Sequence, residues 1–144
     1  MSAGEAVDPR GPRFAAIVTT VVLAVVLLTQ WWPLLAAQTV VFAIGAFIGL
    51  RPAPYSILYR AFVAPRLGPA SAREDAAPLR FAQTVGFVFA LVGTIGFAAG
   101  VAPLAIVATA FALFAAFLNA AFDFCLGCEM FLLFKRFGPS PRAS

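Results

Sequence analysis

Cys125-Leu126-Gly127-Cys128-Glu129 holds the only two cysteines of a 144-residue chain. Residues three apart on a helix bring their Cα atoms to about 5–6 Å, inside the roughly 4.4–6.8 Å range from which a disulfide closes. Gly127 allows the backbone to bend between them. Three chemistries fit this C-x-x-C. One is thiol redox or sulfur transfer, in which a thiolate attacks a disulfide, a persulfide or another sulfane-sulfur donor. The second is half of a metal site, which needs two more ligands from Asp123, Glu129 or a second subunit. The third is no chemistry at all: two small residues packed at a helix end, where a free cysteine behaves as a modest hydrophobe. Local geometry separates an active pair from an inert one. A helix beginning near Cys125 favours a thiolate there through its free N–H groups, whereas a helix running on through Cys128 disfavours it.

Few other side chains offer chemistry. Histidine is absent, which removes imidazole bases, Cys-His nucleophile pairs and the commonest zinc sets. Asp123 and Asn119 stand one helical turn apart and continue a stripe of small residues, Ala105, Ala108, Ala112 and Ala115. Such a stripe faces other helices, so Asp123 is expected to point inward and is a candidate proton acceptor for a cysteine or a partner for Arg13 or Arg80. The opposite reading is a carboxylate in water at the membrane edge. No cofactor-binding pattern is present, and the metal question stays open.

The scaffold that must position this pair is read from composition. The chain is 62% apolar and 11% charged, with mean hydropathy +0.97, far outside the soluble range. Its length suits one domain. Four apolar runs approach the roughly 20 residues that a membrane span requires: 14–32, 34–50, 81–101 and 104–124, the second being the shortest. Gln30-Trp31-Trp32-Pro33 separates the first two runs and Gly100-Val101-Ala102-Pro103 the last two. Both connections are uncharged and read as tight turns. The N-terminal stretch carries Glu5 and Asp8 beside Arg10 and Arg13, and the run after it is too long for a signal peptide.

All ten basic residues lie at the other ends of the runs, in the tail 1–13, the loop 51–80 and the segment after residue 124. The positive-inside rule then puts both termini, the loop and the C-x-x-C on the cytoplasmic side of the cell membrane. In that reducing compartment a permanent structural disulfide is not expected. The net charge of +4 is assigned to lipid headgroups and not to nucleic acid. Within the loop, Tyr55, Leu58, Tyr59 and Phe62 recur at helical spacing, which predicts a short helix in the interface ended by Gly68-Pro69. Ser71 to Ala77 reads as solvated linker, and Trp31, Trp32, Tyr55 and Tyr59 as interface anchors. Gly45 and Gly49, Gly96 and Gly100, and the heptad-spaced Gly86, Gly93 and Gly100 predict close helix packing.

Asp8-Pro-Arg-Gly-Pro-Arg13-Phe14-Ala15 parallels Asp75-Ala-Ala-Pro-Leu-Arg80-Phe81-Ala82. A hairpin follows each, then a break, Arg51-Pro-Ala-Pro54 or Cys125-Leu-Gly-Cys128, then an aromatic and basic segment. The expected fold is therefore an all-α membrane protein of four transmembrane helices, built as two pseudo-repeated hairpins with interfacial helices after the second and fourth spans and a C-terminal tail at 138–144.

Val7-Asp8-Pro-Arg10-Gly-Pro-Arg13-Phe14, Arg80-Phe81-Ala82-Gln83 and Asn119-Ala-Ala-Phe-Asp-Phe-Cys-Leu-Gly-Cys-Glu129 together resemble the bacterial integral-membrane domain-of-unknown-function family 4395. The likeness covers almost the whole chain. The family has no established activity, and its members are often encoded near thioredoxin-like and rhodanese-type sulfurtransferase proteins. The resemblance thus implies a link to thiol or sulfur metabolism, with Cys125 and Cys128 as the functional positions and such a protein as partner. Two further readings stand beside it: a homo-oligomeric transporter subunit for a sulfur-containing anion, and a passive membrane anchor.

Overall fold

The computed structural model describes residues 6–7, 10–50, 52–67, 74–122 and 125–137. The chain is helical apart from one two-residue antiparallel pairing, β1 (Ala6–Val7) with β2 (Glu74–Asp75), in register Ala6↔Asp75 and Val7↔Glu74. Helix α1 spans Arg10–Thr29 and α2 spans Trp32–Ala43, the latter continued by a π-helical turn, Ile44–Ile48. Then come α3 (Pro54–Leu58), a second π turn (Tyr59–Val63) and α4 (Ala64–Leu67). The second half consists of α5 (Ala76–Ala98), α6 (Ala102–Phe122) and α7 (Leu126–Phe137).

Three helical stretches are long and apolar enough to cross a membrane, Arg10–Thr29, Ala77–Ala98 and Ala102–Phe122, while Trp32–Ile48 is shorter. The outward surfaces fit lipid: Leu28, Phe47, Ile48, Phe111 and Phe122 are all exposed, an arrangement water does not tolerate over so wide an area. The protein therefore has the character of a membrane protein. α1 and α5 start four or five residues before their apolar runs. Hydropathy ignores this first turn because Arg10, Arg13 and Arg80 lie in it. A helix tolerates them there, since their long stems reach back toward polar groups.

Leu23 and Val26 of α1, Leu35 and Phe42 of α2, Ala90 of α5 and Ala112 of α6 form one buried cluster. Its members come from both halves of the chain. α1 packs most broadly on α6 and α2 on α5; α5 also packs on α6, while α1 and α2 touch less. Glycine explains the close approaches. A Cβ on Gly96 would lie 3.2 Å from the backbone nitrogen of Ala105, and one on Gly86 would lie 2.8 Å from the Phe42 ring. Gly100 does not pack in this way. Nothing lies near it, and its φ of +83° ends α5. Val101 N–H to Gly96 O (2.7 Å) and Gly100 N–H to Phe97 O (3.2 Å) complete a Schellman cap. Gly49, at φ +149°, similarly ends the π turn. These two positions serve the backbone and not helix contact.

The loop helices also depart from expectation. Tyr59 is buried, with its ring 5.9 Å from Phe14 and close over Gly11. Tyr55 turns inward to a hydrogen bond within the bundle, described below. The two tyrosines are packed inside, so only Trp31 and Trp32 remain as exposed candidates for interface anchors. Glu74 and Asp75 pair with the N-terminal segment and are not free linker. The turn at Gly68-Pro69 lies outside the described residues.

Candidate functional site

The C-x-x-C sits at a helix start. α6 ends at Phe122 and α7 opens at Leu126, with Cys125 in the capping position. The Cys125 carbonyl accepts the first intrahelical bond, from Glu129 N–H at 3.0 Å. The Cys125 sulfur accepts the Cys128 N–H at 3.1 Å. A sulfur thus occupies the place that a serine or aspartate oxygen takes at many helix starts. Of the two geometries open at the level of sequence, this one favours negative charge on Cys125, because unpaired N–H groups and the positive end of the dipole face it. Glu129 in the first turn and Lys135 and Arg136 in the last complement the same dipole.

The two cysteines are joined as a disulfide, with Cα atoms 5.2 Å apart, inside the spacing range expected for helical residues. Both are partly buried. Cys128 packs on Leu50 and Leu79, and α7 is held on α5 by Phe131 and Phe134 around Phe81, with centroids at 5.8 and 5.9 Å. The pair is therefore clamped to the bundle and does not hang from a free tail. Asp123 lies outside the described residues, so its expected inward orientation and its pairing with an arginine are not part of the picture. Arg13 instead donates from Nε to Ala120 O (3.2 Å), and Arg80 from a guanidinium nitrogen to Ala46 O (2.9 Å). Among the described residues, no third Cys, Asp or Glu joins the thiol pair in a metal-binding cluster.

Cys125 lines a cavity of about 700 Å³ in the half of the bundle where the chain ends and the loop gather. Its walls are mostly apolar, from Ala16, Phe42, Phe89 and Phe111; its polar lining includes Arg10, Arg60, Asn119 and Gln83. Ala105, Ala108 and Ala112 of the small-residue stripe are buried, and Ala115 and Asn119 continue it into the cavity wall. The residue that sequence reading passed over is Gln38. It is only 1% exposed and also lines the cavity. Tyr55 donates its hydroxyl to Gln38 Oε1 at 2.7 Å. Burial pushes the Tyr55 phenol above its ordinary value of 10.0, so this donor keeps its proton at neutral pH. The signal for it in the sequence is an amide inside the apolar run 34–50.

A family model described as a domain of unknown function, DUF4395, matches residues 7–136. This chain belongs to the DUF4395 family. The match begins at β1 and ends inside α7, so the cavity and the C-x-x-C both lie within the DUF4395 unit. No curated protein and no solved structure matches the chain.

Proposed function

We propose that this protein is a multi-pass protein of the inner cell membrane that exchanges electrons with a soluble thiol protein through Cys125 and Cys128. The observation that carries the reading is Cys125 as the capping residue of α7, its sulfur hydrogen-bonded to the Cys128 N–H. In the reduced state, the Cys125 thiolate attacks a disulfide of the partner and releases one partner thiol. Cys128 then attacks the Cys125 sulfur of the mixed disulfide, releasing the second partner thiol and closing the Cys125–Cys128 bond. Two electrons pass to the partner, and every step reverses. A thioredoxin-like or rhodanese-type partner suits this chemistry.

In the same proposal Trp32–Ile48 is the fourth span, completed by the π turn and the residues flanking it. The distribution of the ten basic residues, read by the positive-inside rule, supports both termini and the loop on the cytoplasmic side. The pseudo-repeat draws support from paired contacts, the halves being offset by 67 residues at Phe14 and Phe81 and by 72 at Tyr59 and Phe131, Ile57 and Glu129, and Ala53 and Cys125. Phe14 meets Tyr59 as Phe81 meets Phe131, and the Ile57–Ala53 bond matches the Glu129–Cys125 bond. By that alignment the counterparts of Cys125 and Cys128 are Ala53 and Ser56, two positions later than the break at Arg51.

The test is mass spectrometry of differentially alkylated thiols in isolated membranes. The expected result is a pair that passes from disulfide to dithiol when a reduced thioredoxin-like protein is supplied, and back to disulfide when the oxidised form is supplied. Cysteines that stay in one state and label only after denaturation would leave a passive anchor as the better description.

A further inference from the structure

The cavity that Cys125 lines is charged at one end and apolar along the rest. Arg10 opens α1 and Arg60 lies in the second π turn, and both line it. The two are neighbours in space, because Gly11 lies against the Tyr59 ring. Arg60 is exposed and Arg10 half-buried, so a charged group reaches both from outside the bundle. No Asp or Glu stands among the described residues that line the cavity. A guanidinium carries five N–H donors in a planar fork, so it serves an anion while it holds its protein neighbours. Away from the arginines the walls come from Ala16, Phe42, Phe89 and Ala112. Phe111 and Phe114 line the cavity and are also more than half exposed on the outer surface. Along them the cavity wall meets lipid. A small inorganic anion would leave this apolar length unfilled, and an uncharged apolar molecule would make no use of the arginines. Charge complementarity at one end and apolar walls at the other select an anionic amphiphile.

We infer that the cavity is a binding site for one anionic phospholipid, its phosphate between Arg10 and Arg60 and its acyl chains running past Phe111 and Phe114 into the bilayer. The guanidinium fork matches phosphate oxygens in pairs. Basic pockets between membrane helices are where anionic headgroups lodge. A zwitterionic headgroup brings its own cation, which the two arginines repel. About 700 Å³ lies within the roughly 300–1,000 Å³ of sites that take one small organic ligand. This site differs from the general attraction of a basic face for an anionic leaflet, because it sets apolar walls behind the charge. It goes beyond the thiol-exchange reading and does not depend on it.

The experiment uses the full chain, delipidated in detergent, with dioleoylphosphatidylglycerol and dioleoylphosphatidylcholine as probes and native mass spectrometry as the readout. The expected result is one phosphatidylglycerol per protein, held about tenfold or more tighter than phosphatidylcholine, the difference expected for one charge-assisted hydrogen bond. Arg10→Gln combined with Arg60→Gln should erase that preference. Arg66→Gln combined with Lys135→Gln, at basic residues outside the cavity lining, should keep it. Equal affinity for the two lipids overturns the inference. An equal loss in both double variants does so too, since it would show diffuse attraction to a basic face. Displacement of phosphatidylglycerol by inorganic phosphate or by oleate at equal concentration also overturns it, because the headgroup or the chain alone would then suffice. Should the Arg10 and Arg60 variant not fold, phosphatidylglycerol with a diazirine in one acyl chain is crosslinked to wild-type protein in nanodiscs. Label is expected on Ala16 or Ala112, which are buried and line the cavity. Label confined to the outer surface, as at Leu28 or Val101, overturns the inference.

Discussion

At the scale of single residues, position on the helix makes two chemically identical cysteines unequal. Cys125 caps α7 and faces its N–H groups, whereas Cys128 lies inside the first turn against Leu50 and Leu79. After reduction, iodoacetamide should therefore alkylate Cys125 faster than Cys128, as read from peptide masses over time. In the exchange reaction, Cys128→Ser should trap a mixed disulfide with the partner, and Cys125→Ser should abolish it. The Tyr55 hydroxyl offers a second test. Removing it in Tyr55→Phe takes away the donor that reaches the buried Gln38 Oε1 and should cost about 1–3 kcal/mol in chemical denaturation. The pH dependence follows from the raised phenol, whose ordinary value is 10.0. Unfolded Tyr55 ionises first on the alkaline side, so its contribution is complete below pH 10.0 and declines as pH rises toward the folded value. Wild-type protein should lose stability in that window more steeply than Tyr55→Phe. Cys125 and Cys128 were legible in the sequence because C-x-x-C is a local spacing. Gln38 was not, because its meaning depends on Tyr55, which another helix delivers.

At the scale of elements, helix ends and helix contacts divide the glycines between them. α1 ends with Gln30 at φ +54°, a left-handed residue with a side chain, where α5 ends with Gly100 at +83°. The two caps make opposite predictions. Gln30→Gly should stabilise by about 1 kcal/mol and Gly100→Ala should destabilise by about 1–2 kcal/mol, since a Cβ disfavours that conformation. Both are measurable as shifts in thermal unfolding in detergent. Gly96 tests the α5–α6 contact. A methyl group there would press on the backbone of Ala105, which cannot rotate aside, so Gly96→Ala should cost about 1–3 kcal/mol. The π turns at Ile44–Ile48 and Tyr59–Val63 were invisible to periodicity. A single widened turn barely shifts the apolar pattern; at the helix end that follows it, Ala46 O accepts from Arg80.

At the scale of the whole molecule, the helices interlock. α1 lies on α6 and α2 on α5, α3 is attached to α1 as α7 is to α5, and the two halves meet again where Val7 pairs with Glu74. Exchange of the halves maps each of these relations onto another, and α1 and α5 each follow on one strand of the β1–β2 pair. On the topology proposed above, a reporter fused after Ser144 should be active only on the cytoplasmic side. A membrane-impermeant maleimide should fail to reach reduced Cys125 in intact cells and should label it in inverted vesicles. Label from outside would invert the topology and with it the compartment of the thiol partner.

Composition and order alone determined that this chain carries long apolar runs suited to lipid, that its charges gather at one end of those runs, and that a single thiol pair stands at that end. These are additive properties: hydropathy sums along a run, charge placement is counted, and a spacing of three needs only one turn of backbone. The tertiary structure decided the rest. Which helix lies against which depends on where glycines admit a neighbour. Whether Cys125 starts a helix depends on where α6 stops. A cavity lined by both Gln38 and Cys125 exists only because five helices and a loop, distant in sequence, leave space between them that no one of them encloses.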